Sequence, residues 1–375
     1  MHSVPHPHVA IVGAGLGGLA CARILQLHGR SVSVFEREPS PDARSQGGTL
    51  DMHADTGQIG LRRAGLLDQF RALARPEGQE SRLLDHATAA VLEHQRPAEG
   101  DNFRPEIDRG QLRGLFLTSL DPGTVRWGRA VRAATALADG PRLHFEDGTA
   151  EDFDLVVGAD GAWSRVRAAV SDTTPAYTGV TFVEASFDNV DTQHAELARL
   201  AGPGTMLAKS PGKGLFVQRN SGGQLRAYAA LRVAENWHVT AGLDLGDPAA
   251  VRAHLLAMFD GWDERLLAFL RHGAGGFVNR PLFALPVPHI WAHIPGITLL
   301  GDAAHLMPPL GVGANLAILD GADLADALIA EPTIGDAVRA YERVMLPRSA
   351  ATAQACAEGL KHLLPLAAPE NAVRG

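Results

Sequence analysis

Apolar runs of strand length alternate with stretches of helical period along this chain, and the alternation starts at once. His8-Val9-Ala10-Ile11-Val12 is a continuous apolar run, Gly17 to Gln26 carries Ala and Leu at helical spacing, and Ser31 to Glu36 returns to β-branched and aromatic residues. This predicts strand, glycine turn, helix and second strand. Pro39 to Gly48 is polar and punctuated by Pro and Gly, hence a loop, and Thr56 to Ala74 is helical with an interruption at Gly65. Glu77 to Arg104 alternates weakly, as a hairpin does. Asp108 to Ser119 is helical again, with Leu112, Leu115 and Phe116 on one side.

Asp154 to Val157 forms a second buried-type strand that runs into Gly158-Ala159-Asp160-Gly161. From Tyr177 to Val233 the period changes to two, in runs such as Thr181 to Phe187 and Leu225 to Leu231, which predicts a mostly antiparallel sheet. Pro248 to Leu270 is helical. Ile297 to Leu300 is a third short strand, ending at Gly301-Asp302, and helices follow from Asn315 to Ile329 and from Ile334 to Leu363, with Pro347 set to kink or restart the last one. The expected fold is α/β with an α+β insertion. A discontinuous Rossmann-like nucleotide domain takes 1–75, 100–175 and 271–325, a mostly antiparallel substrate domain takes 76–99 and 176–270, and 326–375 forms a C-terminal helical region with a long bridging helix.

Composition narrows the possibilities. With 375 residues, 46% hydrophobic and 20% charged, the chain has the ordinary globular mix, and a net charge of -8 without a basic run argues against a nucleic-acid partner. Cys21 and Cys356 make neither a disulfide framework nor a metal-ligand set, which predicts no metal and fits a reducing compartment. The apolar stretch from Val9 to Leu27 resolves into strand, turn and helix, not a membrane span or a signal peptide. A cytoplasmic protein without a membrane partner is expected, either a monomer or a weak dimer. His2, His6 and His8 flank prolines and read as a terminal tail. Ser164 lacks the G-x-S-x-G setting of a hydrolase.

Gly13, Gly15 and Gly18, with Leu16 between them, form G-x-G-x-x-G immediately after a strand and at the opening of a helix. The first glycine permits the tight turn, the second lets a pyrophosphate approach the backbone, and the third lets helix and strand pack closely. Glu36, followed by Arg37, ends the second strand where ribose hydroxyls of a dinucleotide would lie. By itself this unit leaves NAD, NADP and FAD open.

Two further segments carry a resemblance. DLVVGADGAWSRVR, from Asp154 to Arg167, and Gly301-Asp302-Ala303-Ala304-His305 with Pro308, Pro309, Gly311 and Gly313 resemble the class A FAD-dependent aromatic hydroxylases, the p-hydroxybenzoate hydroxylase group. The resemblance implies a GR2-type FAD domain with Asp302 on the ribityl chain, Asp160 near the cofactor crevice, and Arg113, with Arg109 beside it, on FAD. Arg109 reads equally as a surface ion-pair residue and Asp160 as a turn cap. No second complete G-x-G-x-x-G unit follows, so NADPH or NADH would bind transiently, with O2 as co-substrate.

Within that class the chain most resembles the tetracycline-inactivating monooxygenases, through GGTLDMH (Gly47 to His53), PEIDRGQLR (Pro105 to Arg113), Trp262 to Arg265, and GDAAHLMPP (Gly301 to Pro309). This implies FAD contacts by Gly48 and Asp51 and a nicotinamide-nucleotide role for Arg44. On the substrate side Glu184 replaces a glutamine, Arg226 a histidine and Thr205 an arginine, which is a different recognition surface. Phe216 and His53 complete the substrate candidates, and Glu184 with Arg226 reads either as a substrate-orienting pair or as an ordinary salt bridge. The flavin-facing word Pro308 to Asn315, PPLGVGAN, is one residue shorter than the family's and lacks its Gln; Pro309, Gly311, Gly313, Ala314 and Asn315 are the cofactor candidates there.

The implied activity is hydroxylation of a polycyclic aromatic or phenolic small molecule, a tetracycline or aromatic polyketide among the candidates, through a flavin C4a-hydroperoxide. Baeyer-Villiger insertion or epoxidation on the same scaffold stays open, as does a flavin-binding protein without turnover.

Overall fold

The computed structural model describes residues 8–44 and 46–365. Two compact units make up the chain: Met1–Ala74 with Arg109–Ala176 and Phe283–Ala357, and Arg75–Asp108 with Tyr177–Leu282 and Glu358–Gly375.

The first unit is built on a five-stranded sheet in the order Ile297–Leu299, Leu155–Gly158, Val9–Val12, Val32–Phe35, Val125–Arg126, with every pairing parallel. Four of these strands are buried along their whole length, which is why they read as unbroken apolar runs and not as alternation. Register sets the chemistry. Val12 lies opposite both Phe35 and Gly158, and Gly158 lies opposite Leu299, so Gly13, Glu36, Ala159 and Leu300 leave the sheet at one level.

Helix Leu16–Leu27 packs on helix Gly313–Ala330 with almost no side chain between them. A Cβ on Gly17 would sit 2.5 Å from the Ala317 carbonyl oxygen, and one on Gly321 would overlap the carbonyl oxygen of Gly17. A second sheet of three antiparallel strands, Val131–Leu137, Gly140–Phe145 and Ala150–Asp152, has no counterpart in the expected elements. Its first strand is largely exposed, so it carries little of the patterning that marks a half-buried strand.

The second unit holds a seven-stranded sheet in the order Ala274–Ala284, Ala176–Phe187, Gln224–Arg232, Lys213–Asn220, Thr205–Ser210, Ser81–Leu84, Val91–Gln95. One face is core: Val183, Phe187, Leu225, Ala227, Ala229, Leu231, Val217 and Met206 pack with residues of helices Pro248–Met258 and Glu264–Arg271. The other face carries Phe182, Glu184, Phe216 and Tyr228. Two expectations change here. The sheet extends past residue 270, because Ala274–Ala284 supplies its edge strand. The helical run from Pro248 is two helices, capped by Asp247 and Asp263 and separated around Gly261, whose φ of 81° breaks the helix.

Helix Ile334–Leu363 runs unbroken through Pro347. Its residues from Glu358 belong to the second unit, where Leu360 and Leu364 pack with Val180, Ala230, Phe182, Phe216 and Leu282.

The glycine contact between the two helices of the first unit is testable. Gly321→Ala forces a methyl group into the Gly17 backbone and is expected to cost about 1–3 kcal/mol, as overpacking does. Urea unfolding of the variant against the parent chain measures it; equal midpoints would contradict the packing described.

Candidate functional site

Three strand ends and two helix starts converge in the first unit. Gly13 has φ 105°, and a Cβ there would overlap the Ala159 carbonyl oxygen; a Cβ on Gly18 would lie 2.5 Å from the Gly13 carbonyl oxygen. Gly15 is different. Nothing lies closer than 4.0 Å to its Cβ position, and helix Leu16–Leu27 beyond it has neither a side-chain cap nor an acidic residue in its first turn. Bare amides and open space are what a diphosphate requires. Glu36 lies alongside, accepting from the Ala14 N–H at 2.8 Å and the Glu38 N–H at 3.1 Å, with one lone pair on each oxygen left for ribose hydroxyls. Arg37 beside it is exposed.

The loop after Pro308 closes on the strand Thr49–Asp51. Asn315, fully buried, accepts from the His53 N–H at 2.8 Å and donates to the carbonyls of Asp51 at 2.7 Å and Gly311 at 3.0 Å. His53 Nε2 lies 2.9 Å from the Asp51 carboxylate, and a Cβ on Gly311, at φ 86°, would lie 3.3 Å from that carboxylate. Asp302 is exposed, and its carboxylate lies 3.9 Å from the Cβ position of Gly313, where helix Gly313–Ala330 begins without a side-chain cap. Pro309 is exposed and Ala314 half-buried in the same loop, while Gly301, at φ 59°, makes the turn into Asp302. Gly311 and Asn315 of the shortened loop therefore join Asp51 and His53 in one hydrogen-bonded cluster without the Gln.

Asp160 has the geometry of a turn cap. Its carboxylate accepts from Ser164 Oγ at 2.5 Å and from the Arg165 N–H at 2.7 Å, and burial pushes its pKa up against those hydrogen bonds. Arg167, absent from the expected site residues, ties the two motifs together. It donates to the carbonyls of Ala303 at 2.8 Å, Asp302 at 3.0 Å and Ala162 at 2.9 Å. The signal was present in the sequence, as the last arginine of DGAWSRVR.

Beneath Asp302, His305 of the same motif is hydrogen-bonded into the framework, through partners that the sequence did not mark. His305 and Asp320 are both buried, with His305 Nε2 2.6 Å from the carboxylate, and Arg348 donates to the same Asp320 at 2.8 Å and to Asp323 at 2.7 Å. Asp320 also accepts from the Gly301 N–H at 3.1 Å, so the pair anchors the turn that presents Asp302. Burial disfavours the His305 imidazolium, but the Asp320 charge and hydrogen bond outweigh it and raise its pKa. Burial likewise disfavours the Asp320 carboxylate, and His305 and Arg348 hold its pKa below the usual range.

Arg113 is buried and donates to the carbonyls of Ala14 at 3.0 Å and Pro41 at 2.9 Å, so it clamps the glycine loop to the polar loop. Arg44 pairs with Glu38, and Arg109 is exposed, its amide donating to the Gly48 carbonyl at 3.1 Å. A groove of about 600 Å³ runs here, lined by Arg44, Gln46, Arg113, Leu117, Asp121 and Trp127.

The substrate candidates divide between the units. His53 belongs to the first. In the second, Glu184 is buried and ion-paired with Arg226, and a third residue, Arg280, binds its other carboxylate oxygen. Phe216 stacks with Phe182 at a centroid distance of 5.7 Å, and Thr205 lies opposite Gln218 on the same face. No sequence signal marked Arg280, which lies on the unread edge strand.

Comparison with known proteins agrees with the geometry. The model of the FAD binding domain family matches residues 6–237 and 293–355. The chain is 32% identical to Monooxygenase asqM of Emericella nidulans, over 85% of this chain and 83% of that one. It is also 32% identical to 3-amino-4-hydroxybenzoate 2-monooxygenase of Streptomyces cremeus, over 91% of this chain and 84% of that one. Among solved structures, Klebsiella pneumoniae HpxO complexed with FAD and uric acid superposes with a TM-score of 0.81 at 20% identity, covering 96% of this chain and 89% of that one. The tetracycline destructase Tet(51) superposes with a TM-score of 0.70 at 20% identity, covering 96% and 92%.

The buried pair sets a pH dependence. His305, with its pKa raised, contributes stability that is present below its unfolded value of about 6.5 and is lost as pH rises through the folded one; Asp320, with its pKa lowered, contributes stability present above about 3.9 and lost as pH falls through the folded one. Asp320→Asn is expected to cost about 3–5 kcal/mol between those limits. The gap to the parent should narrow towards alkaline pH in urea titrations, and a gap that does not change with pH would show that the pair is not ionised.

Proposed function

The chain belongs to the FAD binding domain family and is an FAD-dependent monooxygenase, and on that premise we propose that it takes its electrons from NADPH or NADH and hydroxylates a polycyclic aromatic or phenolic compound. An aromatic polyketide or a tetracycline is within that class. The observation that carries the cofactor assignment is the bare Gly15 turn with uncapped amides beyond it and Glu36 beside it. Gly13, Gly15, Leu16, Gly18 and Glu36 would hold the diphosphate and ribose; Asp51, Asp302, Gly311, Gly313, Ala314 and Asn315 would hold the flavin end.

Bound FAD would supply the oxygen-activating chemistry, and the protein supplies placement, charge stabilisation and exclusion of water. The start of helix Gly313–Ala330 offers its dipole and free amides to negative charge beside Asp302. Asn315 fixes the carbonyls of Asp51 and Gly311, so the loop keeps its shape without the missing Gln. In the balance of the reaction, one atom of O2 enters the aromatic C–H as a hydroxyl and the other leaves as water. NAD(P)H provides a hydride and solvent provides a proton. The nicotinamide donor would dock transiently, with Arg44 in the groove of the first unit as its contact. A cytoplasmic setting fits the two buried, unpaired cysteines, and among the described residues no helix is long and apolar enough to cross a membrane.

Two measurements test this reading. Gly15→Ala meets no atom closer than 4.0 Å, so thermal stability of the cofactor-free protein should be unchanged while FAD affinity falls at least about tenfold, a loss of about 1.4 kcal/mol. Loss of stability with unchanged FAD affinity would remove the diphosphate from this turn. Second, NADPH and NADH oxidation by the FAD-loaded protein should rise on adding tetracycline, anthraquinones or polyphenols, with one oxygen gained as a ring hydroxyl. Oxygen inserted into the carbon skeleton would point to Baeyer-Villiger chemistry instead, and bound FAD without stimulation across the panel would count against turnover on this substrate class.

A further inference from the structure

The turn that presents Asp302 does not hold itself. Helix Asp302–His305 is a single turn, too short for a hydrogen bond of helical span between its own residues, so its carbonyls draw on donors from elsewhere. Arg167 serves the carbonyls of Asp302 and Ala303. The third carbonyl, that of Ala304, lies 2.6 Å from Nδ1 of His289, a buried side chain. A carbonyl oxygen only accepts, so the ring carries its proton on Nδ1, and Nε2 of the neutral imidazole is left as an acceptor. Ser171 Oγ lies 3.1 Å from Nε2 and itself accepts from the Thr173 N–H at 3.2 Å, so its hydroxyl proton points at the ring.

These bonds run in a single direction, from the Thr173 amide through Ser171 and the imidazole to the Ala304 carbonyl. Their far end is fastened to Arg167, whose carbonyl accepts the Ser171 N–H at 2.9 Å. Arg167 and His289 therefore reach the Asp302 turn from one anchorage, the first as a fixed cation and the second as a group that can gain a proton. The surroundings decide what that proton would do. Burial pushes the His289 pKa down, the hydrogen bond to Ala304 opposes this, and the charges of Arg167 and His305 add to the fall. On its other sides the ring meets no charge: Trp291 lies 5.3 Å away, and helix Ile334–Leu363 sends Ser349, Ala350 and Ala353 into the small pocket that His289 and His305 share. Two imidazoles thus line one pocket in opposite states. His305 keeps its proton against Asp320, and His289 stays neutral.

We infer that His289 is a positioning residue for Asp302, and through it for the flavin end of the cofactor, and that it works only while its ring is neutral. A second proton on the ring sets Nε2–H against the Ser171 hydroxyl, donor to donor, and places a further positive charge beside Arg167 and His305. The sign is fixed by the lowered pKa: the hold on the turn is complete above the unfolded value of about 6.5 and is lost as pH falls through the folded one. The inference rests on the placement of the flavin end beside Asp302, and it adds to that placement a residue that lies in neither of the two motifs it joins.

Release of FAD from the diluted holoenzyme, with the freed flavin collected by filtration and read by its absorbance, tests this without turnover. Between about pH 8 and about pH 5.5, on either side of the ordinary histidine value, release is expected to quicken at least about fivefold. His289→Asn still donates to Ala304 from the place of Nδ1 and has no proton to gain. It should release FAD as slowly as the parent at the upper pH and lose most of the acid acceleration. His289→Leu, close in volume, leaves the Ala304 carbonyl without its donor and should release FAD about tenfold faster over the whole range. A parent whose release does not change with pH would overturn the inference, as would an Asn variant as acid-sensitive as the parent. Equal acceleration in the Asn and Leu variants at the upper pH would also overturn it, by reducing His289 to a packing residue. Asp302→Ala with undiminished retention of FAD would instead count against the placement of the flavin beside Asp302, and the profile of His289→Asn tells the two failures apart.

Discussion

The first unit depends on a contact between two stretches of backbone. Gly17 and Gly321 let helices Leu16–Leu27 and Gly313–Ala330 approach until main chain meets main chain. Because these helices begin just after Gly15 and Val312, that approach also fixes how far apart their free amides lie. One amide set suits a diphosphate and the other lies beside Asp302. A dinucleotide that reaches both must match a separation set by two glycines, neither of which belongs to the G-x-G-x-x-G pattern. The dispersion gained by such packing is modest for each atom pair, but it is rigid, and rigidity is what a preorganised anion site requires.

Charge is distributed by the same economy. Arg113, Arg167 and Arg348 are each committed to the protein: to the glycine loop, to the turn at Asp302, and to the buried Asp320. Their work is to tie separate segments of the chain together. Arg226 and Arg280 share the single carboxylate of Glu184. Arg113, by resemblance a cofactor contact, donates to the carbonyl oxygens of Ala14 and Pro41 and lies 3.8 Å from the Glu38 carboxylate.

Much of the nucleotide unit was legible from the residues. Buried parallel strands leave unbroken apolar runs, and turns that need glycine leave glycine, so Val9 to Glu36 and Ile297 to Asp302 carry their own signatures. The period-two segments from Tyr177 to Val233 likewise marked the antiparallel sheet. What escaped was either exposed or non-local. Strand Val131–Leu137 buries too little to show a pattern, and strand Ala274–Ala284 starts with exposed glycines. The Asp320 to Arg348 bond and the third arm on Glu184 join residues whose proximity follows only from the packed fold. The Glu184 to Arg226 pair could be suspected because both lie on alternating strands; its surplus of positive charge could not.

The end of helix Ile334–Leu363 has a consequence for how such a protein can diversify. Leu360 and Leu364 lie against Phe182 and Phe216, so the last helical turn forms part of the apolar boundary of the same sheet face that carries the arginines. A change in the bulk of this turn would therefore resize the aromatic surface, giving selection a dial for the size of what that face can accept.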